Sequence, residues 1–295
     1  MNPLTTNTTG AVPLRPRSLL VLSLASVAGL MMFCWPLLLR PRPGSGQVEP
    51  PFIFLVLLPV VILVVLAELS EGGMDAKVLA LLGVLSAINA VMRGLSAGTA
   101  GIELVFFLLV LAGRVFGPGF GFALGCTSLF ASSLLTAGVG PWLPYQMLAS
   151  AWVGMGSGLL PRRLRGRWEI AALAAYGVVA AYLYGLLLNL SSWPFLLGVD
   201  VPGSGSLAFV PGGGLLENLH RFGLYTLLTS TGSFDTGRAI TTAVAVVVLG
   251  PAVLTTLRRA ARRAVVVRQP GTGGSPPAPG GVAAGTGVPT GTQVS

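Results

Sequence analysis

Eight long apolar runs, separated by short stretches that carry most of the charge, constrain this chain more than any other feature. They are Ser18–Leu39, Phe52–Leu69, Ala76–Met92, Thr99–Phe116, Pro118–Ala137, Trp142–Leu160, Trp168–Leu190 and Gly237–Leu257. A membrane helix needs about 20 apolar residues and at least about 17, so each run is a candidate span. Thr99–Phe116 is the weakest, because Glu103 and Arg114 lie inside it. Only 9% of the 295 residues are charged, against about 25% in soluble domains. So few charges cannot cover a water-facing surface. The expected fold is an all-α, polytopic helical bundle of about eight spans in the cell membrane. Ser18–Leu39 follows Arg15 and Arg17 as a signal core would, but it exceeds the ~7–15 residues of such a core and no small-residue cleavage pattern follows. It reads as an anchor.

The net charge of +9 comes almost wholly from arginine. A basic chain often binds nucleic acid, but arginines flanking apolar spans mark cytoplasmic loops instead, and no nucleic-acid partner is expected. Arg162, Arg163, Arg165 and Arg167 crowd one short loop, and Arg258, Arg259, Arg262, Arg263 and Arg268 follow the last span. Two spans separate these clusters, so both can face the cytoplasm. Counting back places both termini inside, with Arg40 and Arg42 outside as one violation of the rule. Residues 1–17 and the Gly/Pro-rich 269–295 read as disordered tails. Residues 18–69 hold two additional N-terminal spans, and 75–264 hold the main bundle. The external connection 191–236 contains WPF, glycine runs and a possible short helix, Leu215–Leu228. Connections of that length usually have a task, such as a lid or vestibule.

Catalytic chemistry is poorly supplied. Cys34 and Cys126 both lie inside apolar runs, away from any metal or redox motif, and His220 is the single histidine. A rhomboid-type protease needs glycine two positions before its serine, where Ser157 has Met155. No catalytic residue, metal or cofactor is expected. A non-catalytic membrane scaffold is one reading to carry forward, and an intramembrane enzyme a less serious one.

Small residues recur at about four-residue spacing: Gly117, Gly121, Gly125, Ser128, Ser132 and Thr136 in one run, then Gln146, Ser150, Gly154 and Gly158 in the next. Such stripes lie on one helix face and let membrane helices approach closely. Between them GVGPWLPYQ (138–146) reads as an external hairpin tip. In this topology Glu103, Thr136, Gln146 and Asn189 come from four helices to one depth beneath the outer surface. Polar groups in lipid face the bundle interior or a cavity. Interhelical bonding, at about 0.6 kcal/mol per pair, explains any one of them but not their shared depth. A cavity open to the outside is favoured for the set.

Glu103 needs a cation, a proton or a cationic ligand, and Arg93 at the end of the preceding run is the expected partner. A helix N-terminus would also favour this carboxylate. Trp142, Tyr145 and Trp193 fall at the outer interface, where an aromatic belt competes with stacking on a flat ligand. Asn218 and Arg221 complete the substrate-binding candidates, although with Glu217, His220 and Tyr225 they also fit a solvated helix face. Asp235 and Arg238 are expected to pair. A further stripe, Ala76, Ala80, Gly83, Ala87 and Ala90, suits packing within the chain or docking onto another membrane protein.

These residues carry a resemblance. With AKVLALLGVLSAINAVMR (76–93), ELVFFLLVLAGRVFGPGFGFALG (103–125) and GVGPWLPYQMLASAWVGMGSGLLP (138–161), the chain resembles a substrate-specificity subunit (S component) of an energy-coupling factor (ECF) transporter. ENLHRFGLYTLLTS (217–230), DTGR (235–238) and LRRAARRA (257–264) fit the same type, and the likeness covers about Asp75 to Ala264. It implies a six-helix membrane domain that binds a vitamin or related micronutrient near its outer face, a corrinoid such as cobalamin among them. It implies partners too: a transmembrane coupling subunit and two cytoplasmic ABC-type ATPases, with the S component toppling in the membrane to release cargo. The coupling subunit would contact Ala76, Ala80, Gly83 and Ala87. The two additional N-terminal spans depart from the family pattern. No Walker A motif occurs in the chain, so partners must supply ATP hydrolysis.

Overall fold

The computed structural model describes residues 15–38, 52–71, 74, 76–96, 102–195, 200–201, 205–210 and 212–265. The tails 1–14 and 266–295, Arg40, Arg42, Arg268 and the first residues of the Thr99–Phe116 run lie outside them. The described helices are α1 (Pro16–Phe33), α2 (Trp35–Leu38), α3 (Phe52–Glu71), α4 (Ala76–Ser96), α5 (Val105–Phe116), α6 (Pro118–Leu135), α7 (Leu143–Leu159) and α8 (Arg167–Ser192). After a short 3-10 turn at Trp193–Phe195 comes a two-residue antiparallel ribbon, Asp200–Val201 with Gly205–Ser206. Then α9 (Leu215–Thr226), a π-helix (Leu227–Asp235) and α10 (Thr236–Val265) run on without a break. Among the described residues, Pro16–Phe33, Ala76–Leu95, Pro118–Leu135, Arg167–Ser192 and Leu215–Ala264 are long and apolar enough to cross a membrane, while Val56–Ala67 and Val105–Phe116 are shorter.

At the centre stands α5. Every residue from Val105 to Gly113 is buried, as a helix apolar all round must be. Its 12 residues rise only about 18 Å, well short of the ~30 Å hydrocarbon core. Neighbours α6, α7, α8 and α10 pack around it, so its ends are met by protein rather than by lipid. Glu103 lies in the non-helical segment just before α5, not inside the helix as the Thr99–Phe116 span expected. Arg114 lies in the last turn. Gly117, at φ 102°, reverses the chain into α6, which starts on Pro118. Glycine alone takes that φ readily, and proline suits the first helical position.

The glycine stripes form the seam between α5, α6 and α7. A Cβ built on Gly121 would strike the Gly154 carbonyl, and one on Gly154 would strike Gly121. One on Gly113 would meet Gly154, one on Gly125 the backbone of Ser150–Ala151, and one on Gly158 the Gly113 carbonyl and Pro118. Backbone therefore touches backbone along three helices, gaining dispersion contacts that larger residues would forbid. At the hairpin tip, Gly138 N–H donates to the Ser133 carbonyl (2.9 Å) and Ala137 takes φ 51°. This is a Schellman ending, with alanine in the left-handed position where glycine is usual.

On α4, Val78, Leu82, Leu85, Ser86, Asn89 and Ala90 are buried, while Ala76, Ala80, Gly83 and Ala87 are exposed. Ala90 therefore departs from the expected stripe and belongs to the bundle interior. The N-terminal pair α1 and α3 packs on α7, where Phe33 meets Tyr145 edge-on (5.1 Å) and Trp152 Nε1 donates to Ser26 (3.1 Å).

The connection expected to be a loop with one short helix before a separate last span is built differently. Ser and Thr side chains bond back to their own helix, as in Thr229 to the Tyr225 carbonyl and Thr236 to the Thr231 carbonyl. The helix runs on through the polar TSTGSFDTG stretch in a widened π-turn, with these hydroxyls satisfied inside it.

Candidate functional site

Charge collects at two ends of the bundle. Arg238 and Arg258 are 20 residues apart on α10, as are Glu169 and Asn189 on α8; that separation is about 30 Å of helix, the thickness of the hydrocarbon core.

At the arginine-rich end, Glu169 is the centre. Its carboxylate accepts from Arg114 Nε (2.8 Å) and from Arg258 Nη2 (2.6 and 2.8 Å). Arg114 also donates to the carbonyls of Leu160 (2.9 Å), Pro161 (3.2 Å) and Leu164 (3.1 Å). A cation inside an apolar span thus becomes the pin that holds the 160–167 loop against the end of α5.

At the other end, the hub is Arg238. Its Nε donates to Glu103 Oε2 (2.5 Å) and its Nη1 to Asp235 Oδ1 (3.1 Å). The guanidinium lies 4.8 Å from the Tyr184 ring centroid and 5.5 Å from that of Phe106. Asp235 accepts in addition from Ser230 Oγ (2.8 Å). Gly185 makes room for this carboxylate, since a Cβ there would overlap Asp235. Arg93 approaches Glu103 only to 4.0 Å and donates to Gln146 Oε1 (3.2 Å) and Ser132 Oγ (3.1 Å). The principal partner of Glu103 is therefore Arg238, 135 positions away, rather than Arg93. The Asp235–Arg238 pair forms as expected and belongs to this larger network. Two carboxylates meet two guanidiniums, so the network is balanced in charge.

A groove of about 300 Å³ opens beside it, between α8 and the π-helix, lined by Asn189, Tyr225, Ser230, Phe234, Asp235 and Arg238 among others. The widened turn sets its floor, and π-stretches concentrate at functional sites. Half-buried Asn189 lines the groove, and its Nδ2, itself enclosed, has no acceptor among the described residues. An enclosed amide donor without an acceptor costs about 1–3 kcal/mol, an energy recovered if the side chain turns to meet an acceptor in the groove.

The remaining sequence candidates do not reach the network. Thr136 caps α6 through the Ser132 carbonyl (2.9 Å) and is exposed. Trp142 is exposed over Gly140, and Tyr145 turns to Phe33 of α1, so the hairpin contributes Gln146 alone. Trp193, expected at the outer interface, is 1% exposed. Its Nε1 donates to the Leu207 carbonyl (2.9 Å) within a cluster of Leu190, Phe222 and Tyr225. Asn218, expected on a solvated face or at the ligand, is buried and exchanges two 3.0 Å bonds with the Val210 backbone. Arg221 pairs with Glu217 (2.8 Å) one turn away on α9.

The sequence reading missed the polar seam between α4 and α6. Ser86 meets Thr127 (2.7 Å), Asn89 donates to Ser128 (3.0 Å), and Arg93 donates to Ser132. Their spacing of three and four residues was the available signal. Ser157 Oγ is buried and donates to the Gly154 carbonyl (2.8 Å), whereas His220 is exposed on α9.

Residues 77–267 match the family model described as the ECF transporter substrate-specific component. No curated protein and no solved structure matches the chain. The family match takes in α4 to α10, both charged ends and well over half of the sequence. This chain belongs to the family of ECF transporter substrate-specific components, as a helical, multi-pass membrane subunit.

Proposed function

We propose that the chain captures a vitamin or related micronutrient in the groove beside Arg238 and delivers it with a transmembrane coupling subunit and two ATPases. In this reading the Arg238 end faces outward and the arginine-rich end faces the cytoplasm of the cell membrane, in keeping with the charge bias of cytoplasmic loops. The observation that carries the site is the unpaired Nδ2 of groove-lining Asn189, next to a charge-balanced network. A turn of the amide toward the groove lets a ligand acceptor satisfy it. Ligand groups of either charge can exchange with one arm of the network. Arg93, Glu103, Gln146 and Asn189 are retained as binding residues, joined by Asp235, Arg238 and the Tyr184 ring. The groove, about 300 Å³, lies at the lower end of ligand pockets (about 300–1,000 Å³) and suits a one- or two-ring molecule better than a corrinoid. Exposed Ala76, Ala80, Gly83 and Ala87 are the proposed coupling-subunit face.

The mutual pairing of Arg238, Glu103 and Asp235 also favours a second reading, a scaffold whose polar groups only join helices. Uptake assays of Asn189→Leu separate the two. Loss of uptake at normal membrane level supports capture. Unchanged uptake with a rise in stability supports the scaffold.

A further inference from the structure

A second groove, about 600 Å³, lies at the arginine-rich end between α8 and α10. Pro251 lies inside α10 and lines this groove; it has no N–H for the Val247 carbonyl, and its ring crowds that turn. Ile170, Val247 and Leu254 make the walls apolar, and Arg167 and Arg258 stand at the mouth. From Val247 to Arg258 the groove follows about 16 Å of α10, close to the ~15 Å of hydrocarbon in one leaflet.

The charge at the mouth is one-sided. Arg162, Arg163, Arg165 and Arg167 of the loop and Arg258, Arg259, Arg262 and Arg263 of α10 are all exposed. The acid in the groove lining, Glu169, is buried and already engaged by Arg114. Arg258 spans both surroundings: Glu169 fixes its Nη2, yet 47% of the side chain remains exposed. The groove thus asks for an occupant that is apolar over one leaflet's depth and anionic at the end. A soluble phosphate compound would leave the apolar walls empty, and a transmembrane protein helix would bring no anion to the guanidiniums.

We propose that this groove is a binding site for an anionic glycerophospholipid, with an acyl chain along Ile170, Val247 and Leu254 and its phosphate against Arg167 and Arg258. Basic pockets between membrane helices recognise anionic headgroups in this way. The site is separate from the Arg238 groove, so its failure would leave the proposed function standing.

The test is native mass spectrometry of the full-length protein released from nanodiscs of equimolar phosphatidylglycerol and phosphatidylcholine. Retained phosphatidylglycerol should exceed phosphatidylcholine at least tenfold. Ala171→Trp, which fills the groove from its exposed wall, and Arg167→Gln, which removes one headgroup cation, should each abolish the preference while the protein stays monodisperse. Equal retention of both lipids, or a preference untouched by both variants, would overturn the proposal. So would displacement of the lipid by glycerol 3-phosphate alone, which would assign the site to a soluble phosphate compound. Loss of lipid only on adding a coupling subunit, with both variants unchanged, would assign the face to protein docking and equally overturn it.

Discussion

Replacing Glu169 by glutamine separates a structural ion cluster from surface charge. The Glu169 and Arg114 side chains are 5% and 6% exposed, whereas Arg258 is 47% exposed. Without the carboxylate charge, Arg114 is left buried with carbonyl partners from the 160–164 segment and a neighbouring guanidinium. Breaking one member of a buried pair costs about 3–5 kcal/mol, or roughly a hundred- to a few thousand-fold in the folding equilibrium at about 1.4 kcal/mol per tenfold. Arg258→Gln removes a half-exposed arm and leaves the Arg114–Glu169 bond intact, so it should cost about 0–1 kcal/mol. The assay is the folded fraction of purified protein across an SDS titration in mixed micelles. Glu169→Gln and Arg114→Gln should unfold at clearly lower SDS, with Arg258→Gln near wild type. If Arg258→Gln is as damaging as Glu169→Gln, or if Glu169→Gln is neutral, the assignment of Arg114 as the pin fails.

Gly154→Val would force the Gly121 and Gly154 backbones apart, at about 1–3 kcal/mol for overpacking, seen as a lower unfolding midpoint. Ala137→Gly relieves a left-handed alanine and should raise stability by about 1 kcal/mol in the same titration. Gly185→Ala should lower ligand retention at least tenfold by displacing Asp235, while Gly83→Ala, which meets open space, should leave it unchanged. Ala87→Trp, on the exposed face of α4, should preserve ligand binding and abolish co-purification with a coupling subunit.

Local patterns in the sequence translate well where the physics is local. The Gly121, Gly125, Gly154 and Gly158 spacing marks a close seam because four-residue periodicity is a property of one helix, and the seam forms there. Hydropathy likewise finds most of the helices. What fails is pairing at long range. Glu103 draws Arg93 as partner in a reading by neighbouring spans, but the bundle brings α10 beside the start of α5, so Arg238 takes the shorter bond. Trp193 and Asn218 look like interface groups because the 191–236 connection reads as a loop, yet that connection has a small core of its own around Trp193. The TSTGSFDTG stretch looks like a break because its residues are poor helix formers. Packing of the π-turn on α8 overrides that preference. The groove beside Asn189 follows from that widened turn, and no propensity announces a π-helix.

By the proposed function, the Arg238 end should hold a vitamin-sized ligand with no energy input from this chain. Detergent-solubilised wild-type protein and Arg238→Gln can be incubated with a panel of vitamins and precursors without ATP, and the retained ligand measured by mass spectrometry after gel filtration. Retention of one panel member by the wild-type protein, at least tenfold weaker in Arg238→Gln and unaffected by Arg221→Gln, is the expected result. Folded wild-type protein that retains no panel member, or retention that Arg238→Gln leaves intact, would contradict it.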